Sequence, residues 1–138
     1  AKTLFPYTTL FRSGLQIAPG DRHAAAGQRL GLEVDFRQSN SEGQLVDWIH
    51  EAIDGGVGIL INPAGLTFRS IPVLDALKMF PGPIVEFHIS NIHKREPIYH
   101  RSLMSPVVTT VRCGTGGRPR RLRVTWTVER SSPVSAGV

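Results

Sequence analysis

Two short stretches bring together residues that can do chemistry. Glu86 and His88 stand two apart at the end of the apolar run Ile84-Val85-Glu86-Phe87-His88. On an extended chain, residues two apart point to the same side. A carboxylate beside an imidazole can accept its N–H, orient the ring and hold it protonated, which is what a general acid requires. The backbone N–H groups of Ile89 and Ser90 come next and can hold an anion. The plain alternative is a polar pair at a sheet edge. Asn62 stands at the end of a second run, Val57-Gly58-Ile59-Leu60-Ile61, and offers both a donor and an acceptor. Ala64 and Gly65 after it let a ligand approach the backbone closely. Asn, Pro and Gly are equally the ordinary residues of a strand-to-helix turn.

The elements that must position these residues follow from periodicity. Leu32 to Arg37 alternates apolar and charged, a strand with one buried face. Gln38-Ser39-Asn40-Ser41 breaks it. Ser39 with Glu42, or Ser41 with Gln44, provides a capping box for a helix from Glu42 to about Asp54, with Leu45, Trp48, Ile49 and Ala52 on one face. Gly55-Gly56 ends it. The unbroken apolar run 57–61 predicts a strand covered on both faces, as in a parallel sheet. Ser70 caps a second helix with Pro72 in its first turn and Val73, Ala76 and Leu77 inward. Residues 84–88 and 107–112 complete a strand–helix series that predicts an α/β fold, a doubly wound parallel sheet forming a single domain. The four strands are expected side by side. Ligands of such sheets bind beyond the carboxyl ends of the strands, which directs attention to the segments after Ile61 and Phe87.

The chain has 138 residues, enough for one core. No apolar run approaches the roughly 20 residues of a membrane span. The one cysteine, Cys113, excludes an internal disulfide framework and fits a reducing, cytoplasmic setting. The net charge of +5 sits at the ends. Residues 118–138 hold five Arg against one Glu, while 14–117 hold nine basic and ten acidic residues. A nucleic-acid-binding domain carries its basic stripe on the folded body, so no nucleic-acid partner is expected. Residues 1–30 are read as an atypical leader. Phe5 to Ser13 matches the translation of a common sequencing-library adapter, and 14–27 read as out of frame behind it; an ordinary flexible leader is the alternative. Residues 118–138 form an Arg-rich, atypical tail with one alternating run, Leu122–Val128, and 31–117 form the domain. His88, His93 and His100 lack a partner at a familiar metal-ligand spacing, so no metal is expected. Ser102 and Ser105 lack a nucleophile-elbow context. Gly114-Thr115-Gly116-Gly117 is weak as a phosphate loop.

The strings Gly31–Asn40, Leu45–His50, Ile61-Asn62-Pro63, Asp75-Ala76-Leu77, Val85–Glu96 and Ser105-Pro106 resemble the type II 3-dehydroquinate dehydratases, over about residues 31–114. The resemblance implies a flavodoxin-like sheet and a homo-oligomer built of trimers, a dodecamer of four. It implies elimination of water from 3-dehydroquinate, a small carboxylate of the shikimate pathway, through an enolate and with no cofactor. It implies His88 as the general acid and Glu86 as its orienting partner. Asn62 and the N–H groups of Ile89 and Ser90 would hold the substrate carboxylate, and Asp75 would reach the site of a neighbouring subunit.

The sequence also departs from that family. The Asn-Gly-Pro-Asn-Leu string and the Arg and Tyr of the family's N-terminal lid are absent, and the ungapped register sets Phe11 at the place of the tyrosine base. Phe68 replaces a His that touches substrate hydroxyls, and Tyr99 replaces a substrate-binding Arg. These departures leave three readings: a dehydratase of impaired or altered activity whose ends have been lost, a homologue acting on a different carboxylate or by hydrolysis, or a non-catalytic oligomeric binder of small acids.

Overall fold

The computed structural model describes residues 7–12, 28–29 and 31–114. Five strands form one sheet: β1 (Tyr7–Arg12), β2 (Glu33–Gln38), β3 (Gly58–Asn62), β4 (Ile84–Phe87) and β5 (Thr110–Arg112). Their order is β2-β1-β3-β4-β5. Helix α1 (Glu42–Ile53) joins β2 to β3, and α2 (Ile71–Met79) joins β3 to β4. β3 pairs in parallel with β4, and β4 with β5, with Ile59 opposite Ile84 and Val85 opposite Thr110. β1 runs antiparallel to both β2 and β3, so β2 points the same way as β3. All four strands expected from periodicity therefore share one direction, in the parallel α/β class.

Two expectations are corrected. β2 and β3 are not neighbours, because β1 lies between them. Its sequence Tyr-Thr-Thr-Leu-Phe-Arg is aromatic and β-branched, a composition that suits a pleated surface even where no alternation marks it. The last strand is also shorter than 107–112. The N–H groups of Val107 and Val108 both donate to the Met104 carbonyl, at 2.9 and 3.2 Å, and this turn delays pairing with β4 until Thr109 donates to the Ile84 carbonyl at 2.8 Å. The alternating run at 122–128, the tail 118–138, and the leader apart from 7–12 and 28–29 lie outside the described residues.

The helices begin where side-chain oxygens satisfy otherwise unpaired N–H groups. Of the two capping registers, Ser41 with Gln44 is the one formed: Ser41 accepts from the Gln44 N–H at 3.3 Å. Ser70 accepts from the Val73 N–H at 3.0 Å. Leu45, Ile49 and Ala52 of α1 and Val73, Ala76 and Leu77 of α2 bury against Ile59 and Ile61 of β3 and Ile84 of β4. Each large side chain so buried contributes about 1.5–3 kcal/mol. Trp48 packs against this core at its edge, under the guanidinium of Arg37 at 5.5 Å. The core locks β3 and β4 together, and so sets their carboxyl ends side by side. Ser70 is buried, so Ser70→Ala removes a cap that water cannot replace. It should lower the unfolding free energy by about 1–2 kcal/mol, read from the urea midpoint, with the exposed Ser41→Ala costing less.

Candidate functional site

The parallel pairing of Ile61 with Glu86 places Asn62 beside the end of β4. Asn62 is buried, and its Oδ1 accepts from the Ala64 N–H at 3.2 Å. That bond holds Ala64 at φ +50°, a left-handed conformation that alanine seldom adopts. The turn leads into a short 3-10 helix, Ala64–Phe68, which delivers Phe68 to the mouth of the sheet. With Oδ1 occupied by the turn, the Asn62 Nδ2 donors have no partner among the described residues.

His88 and Glu86 form a buried pair. The His88 Nε2 lies 2.8 Å from Glu86 Oε1, and the two side chains are 5% and 0% exposed. The other carboxyl oxygen, Oε2, accepts from the Ser105 hydroxyl at 3.1 Å. An ionised carboxylate can only accept, so in this arrangement Nε2 carries a proton and the ring's orientation is set. The main chain of His88 is pinned as well, its N–H donating to the Arg112 carbonyl at 2.7 Å. Two residues on, the Ser90 carbonyl accepts from the Gly114 N–H at 3.1 Å. Gly114 sits at φ +72°, where a side chain would be strained. β5 and its end thus clamp the 88–90 loop at both sides. Between the clamps, the N–H groups of Ile89 and Ser90 find no hydrogen-bond acceptor among the described residues. Unpaired amides in a cleft are anion donors in waiting.

These elements enclose a cleft of about 280 Å³, lined by Asn62, Ala64, Gly65, Phe68, His88, Ile89, Ser90, Ile92, Arg95 and Tyr99. Phe68 lies nearly parallel to the His88 ring, 25° apart with centroids at 6.2 Å. Tyr99 meets Phe68 edge-on at 5.3 Å. The Arg95 guanidinium lies 3.7 Å above the Tyr99 ring.

Of the residues singled out from sequence, Asn62, His88, Ile89, Ser90 and Tyr99 converge on the cleft, and Glu86 stands directly behind His88. Asp75 does not join them. It is exposed on α2, 3.3 Å from Lys78. The rings of His93 and His100 lie 6.3 Å apart, and no three His, Cys, Asp or Glu side chains among the described residues are placed to hold a metal. Sequence reasoning missed two participants. Ser105 lacks a nucleophile-elbow context and, like Arg95, carries no sequence signal for its role beyond its place in a string shared with the resembling family.

Fold and site together define an α/β protein with a cleft beyond the carboxyl ends of two adjacent parallel strands. A family model described as dehydroquinase class II matches residues 19–128, beyond 31–114 at both ends. The chain is 54% identical over 96 residues to a "3-dehydroquinate dehydratase" of a Chelativorans species, covering 69% of this chain and 65% of that relative. It is 47% identical over 110 residues to "3-dehydroquinate dehydratase 2" of Pseudomonas aeruginosa, covering 80% and 74%. The crystal structure of a type II dehydroquinase from Propionibacterium acnes superposes with a TM-score of 0.64 at 40% identity, over 69% of this chain and 66% of that one. The chain belongs to the class II dehydroquinase family. It spans about 65% of the length of the Chelativorans relative.

Cys113, next to the clamp, reports on the buried carboxylate. Burial pushes its thiol up from the ordinary value, and the charge of Glu86 pushes it further the same way, against a lowering bond to the Ile92 backbone. A thiolate is the alkylating species. Cys113 should therefore react with iodoacetamide more slowly than free cysteine at pH 8. Glu86→Gln, which removes one of the two raising causes, should move the pH profile of alkylation downward; mass spectrometry of timed samples reads both.

Proposed function

We propose that the cleft binds a small hydroxy-keto carboxylate and eliminates water from it, the 3-dehydroquinate dehydratase reaction of the shikimate pathway. The observation that carries this reading is the pair of amides at Ile89 and Ser90 that have no acceptor among the described residues, set beside a buried Glu86–His88 couple. In the proposed roles, those amides and the Asn62 Nδ2 hold the substrate carboxylate. Solvent water in the cleft takes the proton from the carbon beside the ketone, and the electron pair of the broken C–H bond enters an enolate. The C–O bond then breaks as His88 delivers a proton, so that water leaves and a conjugated enone remains. Glu86 fixes the imidazole for that transfer, and Ser105 fixes Glu86.

No side chain is assigned as the base. Phe11, at the register of the family's lid tyrosine, belongs to β1. Loss of a positioned general base costs about 10²–10⁴-fold in rate, so impaired turnover is part of the proposal. The exposed side of α2 suits subunit contact: Ile71 and Met79 are 53% and 62% exposed and flank Asp75 at spacings of four. We assign that stripe to a trimer interface in which Asp75 approaches a neighbour's cleft, with four trimers forming a dodecamer. The free Cys113 fits a reducing, cytoplasmic compartment. A second reading, a homologue acting on another carboxylate or a non-catalytic acid binder, is favoured by Phe68 and Tyr99 in the cleft wall.

The test pairs catalysis with binding. With 3-dehydroquinate, absorbance of the conjugated product should rise slowly, and His88→Ala should abolish the rise. Calorimetry with a small carboxylate should show binding only weakened in His88→Ala and lost by tenfold or more in Asn62→Ala, on protein that light scattering places at a multiple of three chains. Carboxylate binding unchanged in Asn62→Ala would overturn the site.

A further inference from the structure

The two ends of the cleft are built from different materials. One end presents main-chain amides. The other is a ladder of rings: His88 against Phe68, Phe68 against the edge of Tyr99, and Tyr99 beneath Arg95. We infer that this wall selects a planar, ring-conjugated carboxylic acid that carries a second anionic or accepting group, with Phe68 and Tyr99, their planes 84° apart, as an apolar corner for the ring and Arg95 as the second point of charge. The inference rests on the carboxylate site proposed above and names the class of acid it holds tightest; hydroxylated, non-planar 3-dehydroquinate is a weaker ligand by the same account, in keeping with the impaired turnover proposed there.

Three physical points support it. First, a hydroxyl laid against the face of Phe68 or Tyr99 gives up its water and gains no acceptor, whereas an aromatic ring makes edge or offset contacts with both. Second, the Arg95 guanidinium carbon lies 3.7 Å over the centre of the Tyr99 ring, as close as a stacked pair. A stacked guanidinium keeps its N–H donors free at the edge, in the plane suited to a carboxylate. Arg95 is exposed and has no acidic partner among the described residues. Third, about 280 Å³ is at the small end for a ligand cleft, room for one ring with two substituents rather than an extended molecule.

The experiment is calorimetry on the full chain at pH 7 with four acids: isophthalate, benzoate, cyclohexanecarboxylate and quinate. They vary the second carboxylate, the flatness of the ring and the hydroxyls one at a time. Isophthalate should bind tightest, then benzoate, then cyclohexanecarboxylate, with quinate weakest; at least about tenfold should separate benzoate from quinate, the part between cyclohexanecarboxylate and quinate being the cost of hydroxyls left unpaired. Arg95→Gln should bring isophthalate down to the affinity of benzoate while benzoate itself changes less than threefold; that control also reports an intact cleft. Quinate binding as tightly as benzoate, or an isophthalate advantage that survives Arg95→Gln, would overturn this inference and leave the carboxylate site standing. Failure of all four acids to bind would overturn both.

Discussion

A carboxyl group with no exposure to water is the constraint around which this end of the molecule is arranged. Glu86 lies within the sheet, and an ionised group there is costly unless every lone pair finds a donor. One donor is His88, two residues on along the same strand face. The other is Ser105, nineteen residues away on the loop before β5. To bring Ser105 in, the loop must turn tightly. Ser102 accepts from the N–H groups of Met104 and Ser105, Met104 is buried in the core, and Leu103 is tied to the Thr67 carbonyl. Removing one partner of such a buried pair costs on the order of 3–5 kcal/mol, because the other is left uncompensated. The orientation of His88 is thus held by the packing of the whole sheet end and not by a single bond.

That arrangement separates what side-chain substitution can change from what it cannot. The end proposed to hold the acid is mostly backbone, set by the clamps from Arg112 and Gly114 on either side of Ile89. The opposite end is all side chain, and there Phe68 and Tyr99 stand where the dehydroquinase pattern has polar, hydroxyl-reading groups. A cleft built in this way can keep its affinity for a carboxylate while its preference for the rest of the ligand changes.

Much of this was legible in the chain. Local rules place α1 and α2, because their caps, apolar spacing and terminators lie within a few residues of one another. The alternation of Glu86 with His88, and the position of Asn62 after an apolar run, point to the cleft for the same reason. The parts that were not legible are tertiary. Nothing local says that Tyr7–Arg12 enters the sheet between β2 and β3, since its composition permits a strand but only the vacant edges of two other strands select its place. Ser105 and Arg95 act on residues distant from them or through ring contacts formed only in the folded loop. The chain length between Ser105 and Glu86 carries no mark of their hydrogen bond.

The central claim is that the amides of Ile89 and Ser90, which have no acceptor among the described residues, bind a carboxylate. Two-dimensional ¹H–¹⁵N NMR of the labelled chain, titrated with benzoate, tests it most directly. Hydrogen bonding to an anion should move the Ile89 and Ser90 amide protons downfield together, saturating with one affinity, with the Asn62 side-chain amide following the same curve. Shifts confined to the arginines of residues 118–130, with Ile89 and Ser90 unmoved, would show that acids bind the chain by charge alone and would contradict the account.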